Sequence, residues 1–168
     1  MKPLRNKPLR HNVCGDSILL MRDLNDTQKH CLQKLIHLCM LNGNKTKSNT
    51  ILHKTLYNLS QYGDAIAFLM NAIENVKPIV EVKKVRVAGS TQLVPCIIAK
   101  HRQETLALRW LVEAATKRRK LKRSLKLEHC LVAEIVDASR KVGLVRKKRD
   151  ELHKLAESNR GFSHYRWW

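Results

Sequence analysis

The chain has 168 residues, with 33 Lys and Arg against 14 Asp and Glu, so its formal net charge is +19 at pH 7. Hydrophobic residues make up 43% of it, which excludes a wholly disordered chain and fits one domain with its own core. A charge of this size repels itself unless a polyanion neutralises it, and contacts with phosphates also release condensed counterions. Composition therefore predicts a folded protein with a polyanionic partner.

Membrane, secretory and metal-binding classes are not indicated. No apolar stretch approaches the roughly 20 residues that span a bilayer. The N-terminus lacks the apolar segment of a secretory signal, although it leaves an organellar presequence open. The five cysteines are scattered and include no C-x-x-C pair, so neither a disulfide framework nor a zinc module is expected. We expect no cofactor, no metal and no membrane partner.

Residues 1–26 predict a basic N-terminal arm, followed by a single helical domain over 27–168. The motif KPLR occurs twice within the first ten residues, and proline with closely spaced cations favours an extended segment. Helical spacing begins at Thr27, and Gly43 is the stop signal of this first helix.

Two more amphipathic helices are predicted before Pro78. The second runs from about Ser48 to near Gly63, with leucines at helical spacing on one side. Asp64 is the predicted N-terminal cap of the third, because its carboxylate can accept from the free N–H groups of a first turn. Pro78 ends that third helix.

After Pro78 the hydrophobic period changes from 3.6 to 2, which predicts a β-hairpin at about residues 79–99. Valines alternate with polar residues until Lys84 breaks the pattern, and the change of phase predicts a bulge there. Residues 88–91 are typical of a turn. Pro95 in the returning strand is expected at an edge or a bulge, because it has no N–H for a ladder.

Helical spacing returns at Gln103, where the fourth helix is predicted. A fifth helix is predicted over about 124–142, with Gly143 as its cap, and a sixth over about 147–159. Trp110 shares the apolar stripe of the fourth helix, which assigns its ring to the core. The predicted fold is mainly α, a six-helix bundle with a protruding β-hairpin between helices three and four.

The positive charge is concentrated in one part of the chain. Residues 77–126 carry 14 basic and 3 acidic side chains, a net +11. The densest run, residues 117–123, is predicted to lie exposed between helices four and five, although such a run is also typical of a nuclear localisation signal. A second run, 146–149, begins the last helix, where N–H groups and cations can bind the same phosphate. The predicted nucleic-acid-binding residues are Lys83, Lys84, Arg86, Lys100, Arg102, Lys117, Arg118, Arg119, Lys120, Lys122, Arg123, Arg146, Lys147, Lys148 and Arg149.

An enzyme is not expected, since the sequence has no Gly-rich phosphate loop and no H-E-x-x-H motif. Asp150 and Glu151 stand together, but at the start of a helix, where the helix dipole accounts for them. The competing hypothesis is a DNA-binding regulator with a helix-turn-helix, which predicts a dimer on a symmetric duplex site.

Several long motifs occur in an order that resembles the small-subunit ribosomal protein seven family in its bacterial and organellar form. They are AIENVKPIVEV at 72–82, VAGST at 87–91 before Val94-Pro95, LALRWLVEAA at 106–115, KKR at 147–149 before His153, and FSHYRW at 162–167. The final Trp-Trp pair and the Val-Ala-Gly turn are similar to mitochondrial members, so the resemblance favours the mitochondrion over a chloroplast or a bacterial cytoplasm.

The resemblance implies a structural protein that binds small-subunit rRNA directly and nucleates assembly of the subunit head. It places the hairpin near the exit-site tRNA and the mRNA, and it implies contacts with small-subunit ribosomal proteins nine and eleven, without a homo-oligomer. The hairpin cations, Arg102 and residues 147–149 then become RNA contacts. Ala88 departs from the family pattern, because a glycine is common there, and the role of Trp167 stays open between stacking and packing.

Overall fold

The computed structural model describes residues 24–122 and 124–167. The predicted arm, residues 1–26, lies outside the described residues except for 24–26. The helices are α1 (Asp26–Cys39), α2 (Lys45–Ser60), α3 (Ala65–Val76), α4 (Lys100–Leu121), α5 (Leu127–Ser139) and α6 (Leu144–Ser158), followed by a 3-10 helix (Arg160–Tyr165). Strands β1 (Val80–Val87) and β2 (Ser90–Ile97) lie between α3 and α4. The predicted fold class is confirmed, and no helix of the described part is both long and apolar enough to cross a bilayer.

Helix α5 is the centre of the bundle. It packs against α2, α3 and α4, and Leu131 and Ile135 are at most 2% exposed. A helix that is apolar on most sides is stable only when other elements surround it. Burial of each such side chain stabilises the fold by about 1.5–3 kcal/mol.

Of the two helix caps predicted at Asp64 and Gly143, the structure confirms one. The Asp64 carboxylate accepts from Ile66 N at 3.0 Å and from Ala67 N at 3.4 Å, so the predicted cap of α3 is confirmed. The predicted cap of the fifth helix was wrong: the left-handed residue that ends α5 is Lys141, with φ of 61°, and Gly143 instead precedes α6.

Three helices begin earlier than their apolar stripes predict. Helix α2 begins at Lys45, α4 at Lys100 and α6 at Leu144, each three residues before the predicted start. The first turns of α2 and α4 contain exposed cations, and lysine and arginine are good helix formers, so these turns are helical without contributing to the apolar period. Helix α6 instead begins with Leu144 and Val145, and Val145 is 1% exposed. The start of a helix is therefore the part that hydrophobic spacing detects least well.

The two strands pair residue for residue from Val80 opposite Ile97 to Val87 opposite Ser90. The predicted bulge at Lys84 was therefore wrong. Val82 and Val85 lie on opposite faces of β1, and both are half-buried. The apolar residues therefore change faces at Lys84 because each face of the ribbon is partly buried, and no extra residue is inserted. Pro95 stands in a two-stranded sheet in which both strands are edges, as predicted.

The base of the hairpin is fastened to the bundle. Strand β1 packs against α6 and β2 packs against the 3-10 helix. His153 on α6 accepts from Ile79 N through Nε2 at 3.2 Å, and Arg102 at the start of α4 pairs with Glu81 at 3.0 Å. These contacts hold the ribbon at a defined place on the helices while its far end extends away.

The turn of the hairpin predicts a gain of stability for Ala88→Asn. Ala88 and Gly89 both have positive φ, 48° and 85°, as in a type I′ turn. An alanine in the left-handed backbone conformation costs about 1–2 kcal/mol, whereas an asparagine adopts this conformation more readily. We expect Ala88→Asn to slow amide hydrogen exchange in the hairpin, and Ala88→Val to accelerate it. Equal exchange in the two variants would contradict this account.

His153 predicts a loss of stability on mild acidification. Burial lowers its pKa, the neighbouring Arg149 lowers it further, and Asp150 partly opposes both. Because the pKa in the folded protein lies below that of the unfolded chain, the unfolded state binds more protons as the pH falls. We expect the free energy of unfolding to fall from about pH 6.5 downward.

The measurement is urea denaturation at several pH values. His153→Gln, which keeps an acceptor but does not titrate, should reduce this loss. Burial also lowers the pKa of His53, so some pH dependence is expected to persist in the variant. If the free energy of unfolding of His153→Gln falls with pH as much as that of the unchanged protein, protonation of His153 does not cause the loss of stability.

Candidate nucleic-acid interface

The predicted binding cations divide into two groups by their partners within the chain. Five of them have hydrogen bonds or ion pairs to other elements of the fold: Arg102, Arg118, Arg146, Lys148 and Arg149. A second group is exposed, and the described residues provide no ion-pair partner for its side chains: Lys84, Arg86, Lys100, Lys117, Arg119, Lys120, Lys122 and Lys147. Lys83 is exposed as well, and Arg123 lies outside the described residues.

Arg118 connects α4 to α5. Its guanidinium lies 2.7 Å from Glu134 through Nε and 2.7 Å from Asp137 through a terminal nitrogen. The Glu134 side chain is 1% exposed. Burial raises the pKa of this carboxyl, and the Arg118 charge opposes the rise. Arg118 therefore supplies the charge that makes a buried carboxylate tolerable.

The basic run that contains Arg118 is mostly helical. Residues 117–121 form the end of α4, so their predicted placement between two helices was wrong. The helical twist turns successive side chains by about 100°, which directs Arg118 inward and leaves Arg119 exposed. One run of cations therefore contains both an internal ion pair and a solvent-facing surface.

The end of α3 is joined to α5 and α6 through Asn75. Its carbonyl oxygen accepts from Arg146 at 2.8 Å and from Arg149 at 3.0 Å. Its side-chain amide donates to the carbonyls of Ala138 at 3.2 Å and Ser139 at 3.0 Å, at the end of α5. The last carbonyls of a helix carry partial negative charge, which is where a guanidinium stabilises it. Two of the cations predicted to bind phosphate thus have a partner inside the fold.

The remaining cations of residues 146–149 differ from one another. Lys148 pairs with Glu113 on α4 at 2.7 Å and stands 5.3 Å from the centre of the Trp110 ring. Trp110 itself is 8% exposed, so its predicted place in the core is confirmed. Lys147 is exposed and, together with Lys117 of α4, lines a groove of about 330 Å³ between the two helices.

A second groove lies along the outer side of α4, between that helix and the end of α1. Its lining includes Arg109, Lys117 and Lys120, together with Glu113 and Leu38. Arg109 is exposed and was not among the predicted binding residues. Its spacing from Lys117 and Lys120 is eight and eleven residues, which is one helix face, so the signal was present in the sequence.

The hairpin contributes a third basic region. Lys83, Lys84 and Arg86 surround a cavity of about 470 Å³ together with Trp167, which follows the 3-10 helix. Among the described residues, no carboxylate lines this cavity. Lys100, at the base of the ribbon, is exposed at the first residue of α4.

The described residues form a surface suited to anions. The part of the chain that the structure describes contains no group of three or more His, Cys, Asp and Glu side chains that could hold a metal ion. Exposed cations on α4, on the first turns of α6 and on the ribbon form a surface that phosphates can neutralise. A narrow ribbon and helix faces are also shapes that fit nucleic-acid grooves.

Residues 9–160 match the family model described as Ribosomal protein S7p/S5e. The chain is similar to the small ribosomal subunit protein uS7m of Marchantia polymorpha, with 59% identity over 155 residues, 92% of the chain and 67% of that protein. It is 46% identical to uS7m of Triticum aestivum over 149 residues, which cover 88% of the chain and all of that protein. The bacterial uS7 of Wigglesworthia glossinidia brevipalpis is 44% identical over 138 residues, 81% of the chain and 86% of that protein.

The partners of Arg118 predict a sharp difference between two adjacent arginines. Arg118→Gln leaves the Glu134 carboxyl buried without its cation, so we expect the free energy of unfolding to fall by about 3 kcal/mol. Arg119→Gln removes the same charge at an exposed position and should change stability by less than about 0.5 kcal/mol. Urea denaturation at neutral pH measures both. Similar losses in the two variants would show that Arg118 does not support the fold.

Proposed function

Because the chain belongs to the Ribosomal protein S7p/S5e family, we propose that it binds small-subunit rRNA directly and nucleates assembly of the subunit head. As a member it is a constituent of the small ribosomal subunit, in a family of structural proteins and not of enzymes. Its plant relatives are the mitochondrial proteins uS7m, and the mitochondrial ribosome is its location.

The observation that carries the proposal is the separation of the cations into internal and outward-facing groups. The outward group on α4 consists of Arg109, Lys117, Arg119 and Lys120, and Lys147 of α6 continues it across the groove. Exposed cations that the described carboxylates do not pair repel one another in the free protein, and contact with phosphates removes that repulsion. We therefore assign the rRNA backbone to this surface, which we call the α4–α6 surface.

The paired cations have a different role in the proposal. Arg118, Arg146 and Arg149 fix the positions of α4, α5 and α6 relative to α3, and Lys148 packs on Trp110. They align the α4–α6 surface and are not its main phosphate ligands. The proposed set of phosphate ligands is therefore smaller than the set of binding residues predicted from charge alone.

The hairpin extends the proposed RNA contact beyond the bundle. Its base is fastened by His153 and Arg102, while Lys84 and Arg86 near its far end are exposed. We propose that this end lies near the exit-site tRNA and the mRNA. The neighbours in the proposed location are small-subunit ribosomal proteins nine and eleven, and the chain acts as one copy.

A helix-turn-helix DNA-binding regulator was the alternative on charge and helix content. Family membership disfavours it, since the match covers residues 9–160 and includes all six α-helices of the described ranges. The two hypotheses differ in their ligand. A regulator requires a dimer on a symmetric duplex, whereas the proposed protein binds structured RNA as a monomer.

The proposal predicts how binding to an rRNA fragment of the subunit head depends on salt. Replacing Lys117, Arg119 and Lys120 by Gln should reduce the slope of log affinity against log salt by roughly 0.7–0.9 for each phosphate that the variant no longer binds. A hairpin variant with Lys83, Lys84 and Arg86 changed to Gln should also reduce it. Filter binding over a salt series gives the slopes.

A matched control is available on α2. Lys45, Lys47 and Lys54 are exposed, and changing them to Gln removes the same charge from a helix that is not part of the proposed surface. The slope of this control should stay close to that of the unchanged protein. An equal decrease in the control and in the α4 variant would mean that only total charge matters, and it would refute the α4–α6 surface.

A further inference from the structure

Trp167 is a large aromatic side chain with most of its surface exposed. It is 82% exposed, in contrast to Trp110, which is 8% exposed in the core. Tryptophan is usually buried over most of its surface, because its ring has a large apolar area. An exposed ring among cations is the arrangement found where proteins stack unpaired bases of nucleic acids.

The cavity beside Trp167 provides room and the right charge. Four consecutive residues of β1, Lys83, Lys84, Val85 and Arg86, line it with Trp167, and its volume is about 470 Å³. Ligand pockets have volumes of about 300–1,000 Å³, so a nucleotide is of suitable size. Three of the four strand residues are cations, and the absence of a carboxylate among the described lining residues favours a polyanion.

The strand beside the ring also presents polar backbone groups. Ile98 N donates to Ile79 O at 3.1 Å, and the pairing alternates from there along the ribbon. Lys84 and Arg86 consequently fall in the pairs that exchange no hydrogen bonds with β2, and their N–H and C=O groups are turned away from that strand. Such groups can bind the edge of a base whose face lies on the indole.

We propose that Trp167 stacks on one unpaired base of a single-stranded RNA, while Lys83, Lys84 and Arg86 bind the phosphates on either side. The inference rests on the proposed function, since it assigns a stacking site to the hairpin end of the same RNA-binding protein. Paired bases are excluded, because their faces are already stacked within the helix. The site is tolerant of sequence, because every base presents a flat face.

The test uses the full chain and two strands of about eight nucleotides, a length that spans one such site. One strand is uridine, and the other is abasic with the same phosphates, so the two differ only in bases. Fluorescence anisotropy of the labelled strands gives the affinities. We expect the unchanged protein to bind the uridine strand at least about fivefold more tightly than the abasic strand.

The variants decide which residue provides this preference. Trp167→Ala should lower affinity for the uridine strand to that for the abasic strand, with little change in the latter, and Trp167→Phe should retain part of the preference. Tyr57→Ala, which removes another exposed aromatic ring on α2, should retain it in full. A preference that survives in Trp167→Ala, or that disappears in Tyr57→Ala, would overturn the assignment.

A second measurement separates this site from the proposed function. Trp167→Ala should bind the rRNA head fragment with an unchanged salt slope, because stacking releases no counterions. If the unchanged protein fails to bind that fragment, the proposed function is wrong. If it binds the fragment but shows no preference for the uridine strand, the stacking site alone is wrong.

Discussion

The meeting of three helices at Asn75 is the constraint on which the rest of the structure depends. The backbone carbonyl near the end of α3 accepts from two guanidinium groups of α6, and the Asn75 side chain donates to two carbonyls at the end of α5. Helix ends leave carbonyls without partners, and burial makes each one costly. Here the Asn75 side chain and two arginines of α6 donate to carbonyls at the ends of α5 and α3. The orientation of α6 follows, and with it the place of the hairpin that His153 holds.

Charge in this chain therefore has two uses that sequence alone does not distinguish. Arg118 and Arg119 are adjacent, yet one neutralises a buried carboxyl and the other faces solvent. Lys147 and Lys148 differ in the same way, since Lys148 is held by Glu113 and lies over Trp110. The internal pairs fix the framework, and the outward cations remain for a polyanion. A rigid framework keeps the outward charges at fixed spacing, which lowers the cost of ordering them when RNA binds.

The sequence predicted the architecture well because its signals are local and periodic. Leucine stripes, the Asp64 cap and the change of period after Pro78 place three helices, the ribbon and three further helices in the right order. The bulge at Lys84 was wrongly predicted. Both faces of the ribbon are partly buried, so apolar residues occur on each face, and in the sequence this pattern looks the same as an inserted residue. The cationic first turns of α2 and α4 were missed, because they are helical without an apolar period. The partners of Arg118 and of Arg146 could not be predicted, since they depend on which helices meet. Arg109 could have been found from its spacing to Lys117 and Lys120.

The central claim is that the outward cations of α4 and α6 face rRNA in the assembled small subunit. Amine-reactive labelling of lysines, compared between the free protein and intact mitochondrial small subunits, tests it directly. We expect Lys117, Lys120 and Lys147 to react in the free protein and to be protected in the subunit. Lys34 and Lys77, whose side chains lie largely inside the fold beside Glu104, should react slowly in both. Equal reactivity of Lys117, Lys120 and Lys147 in the two states would contradict the account.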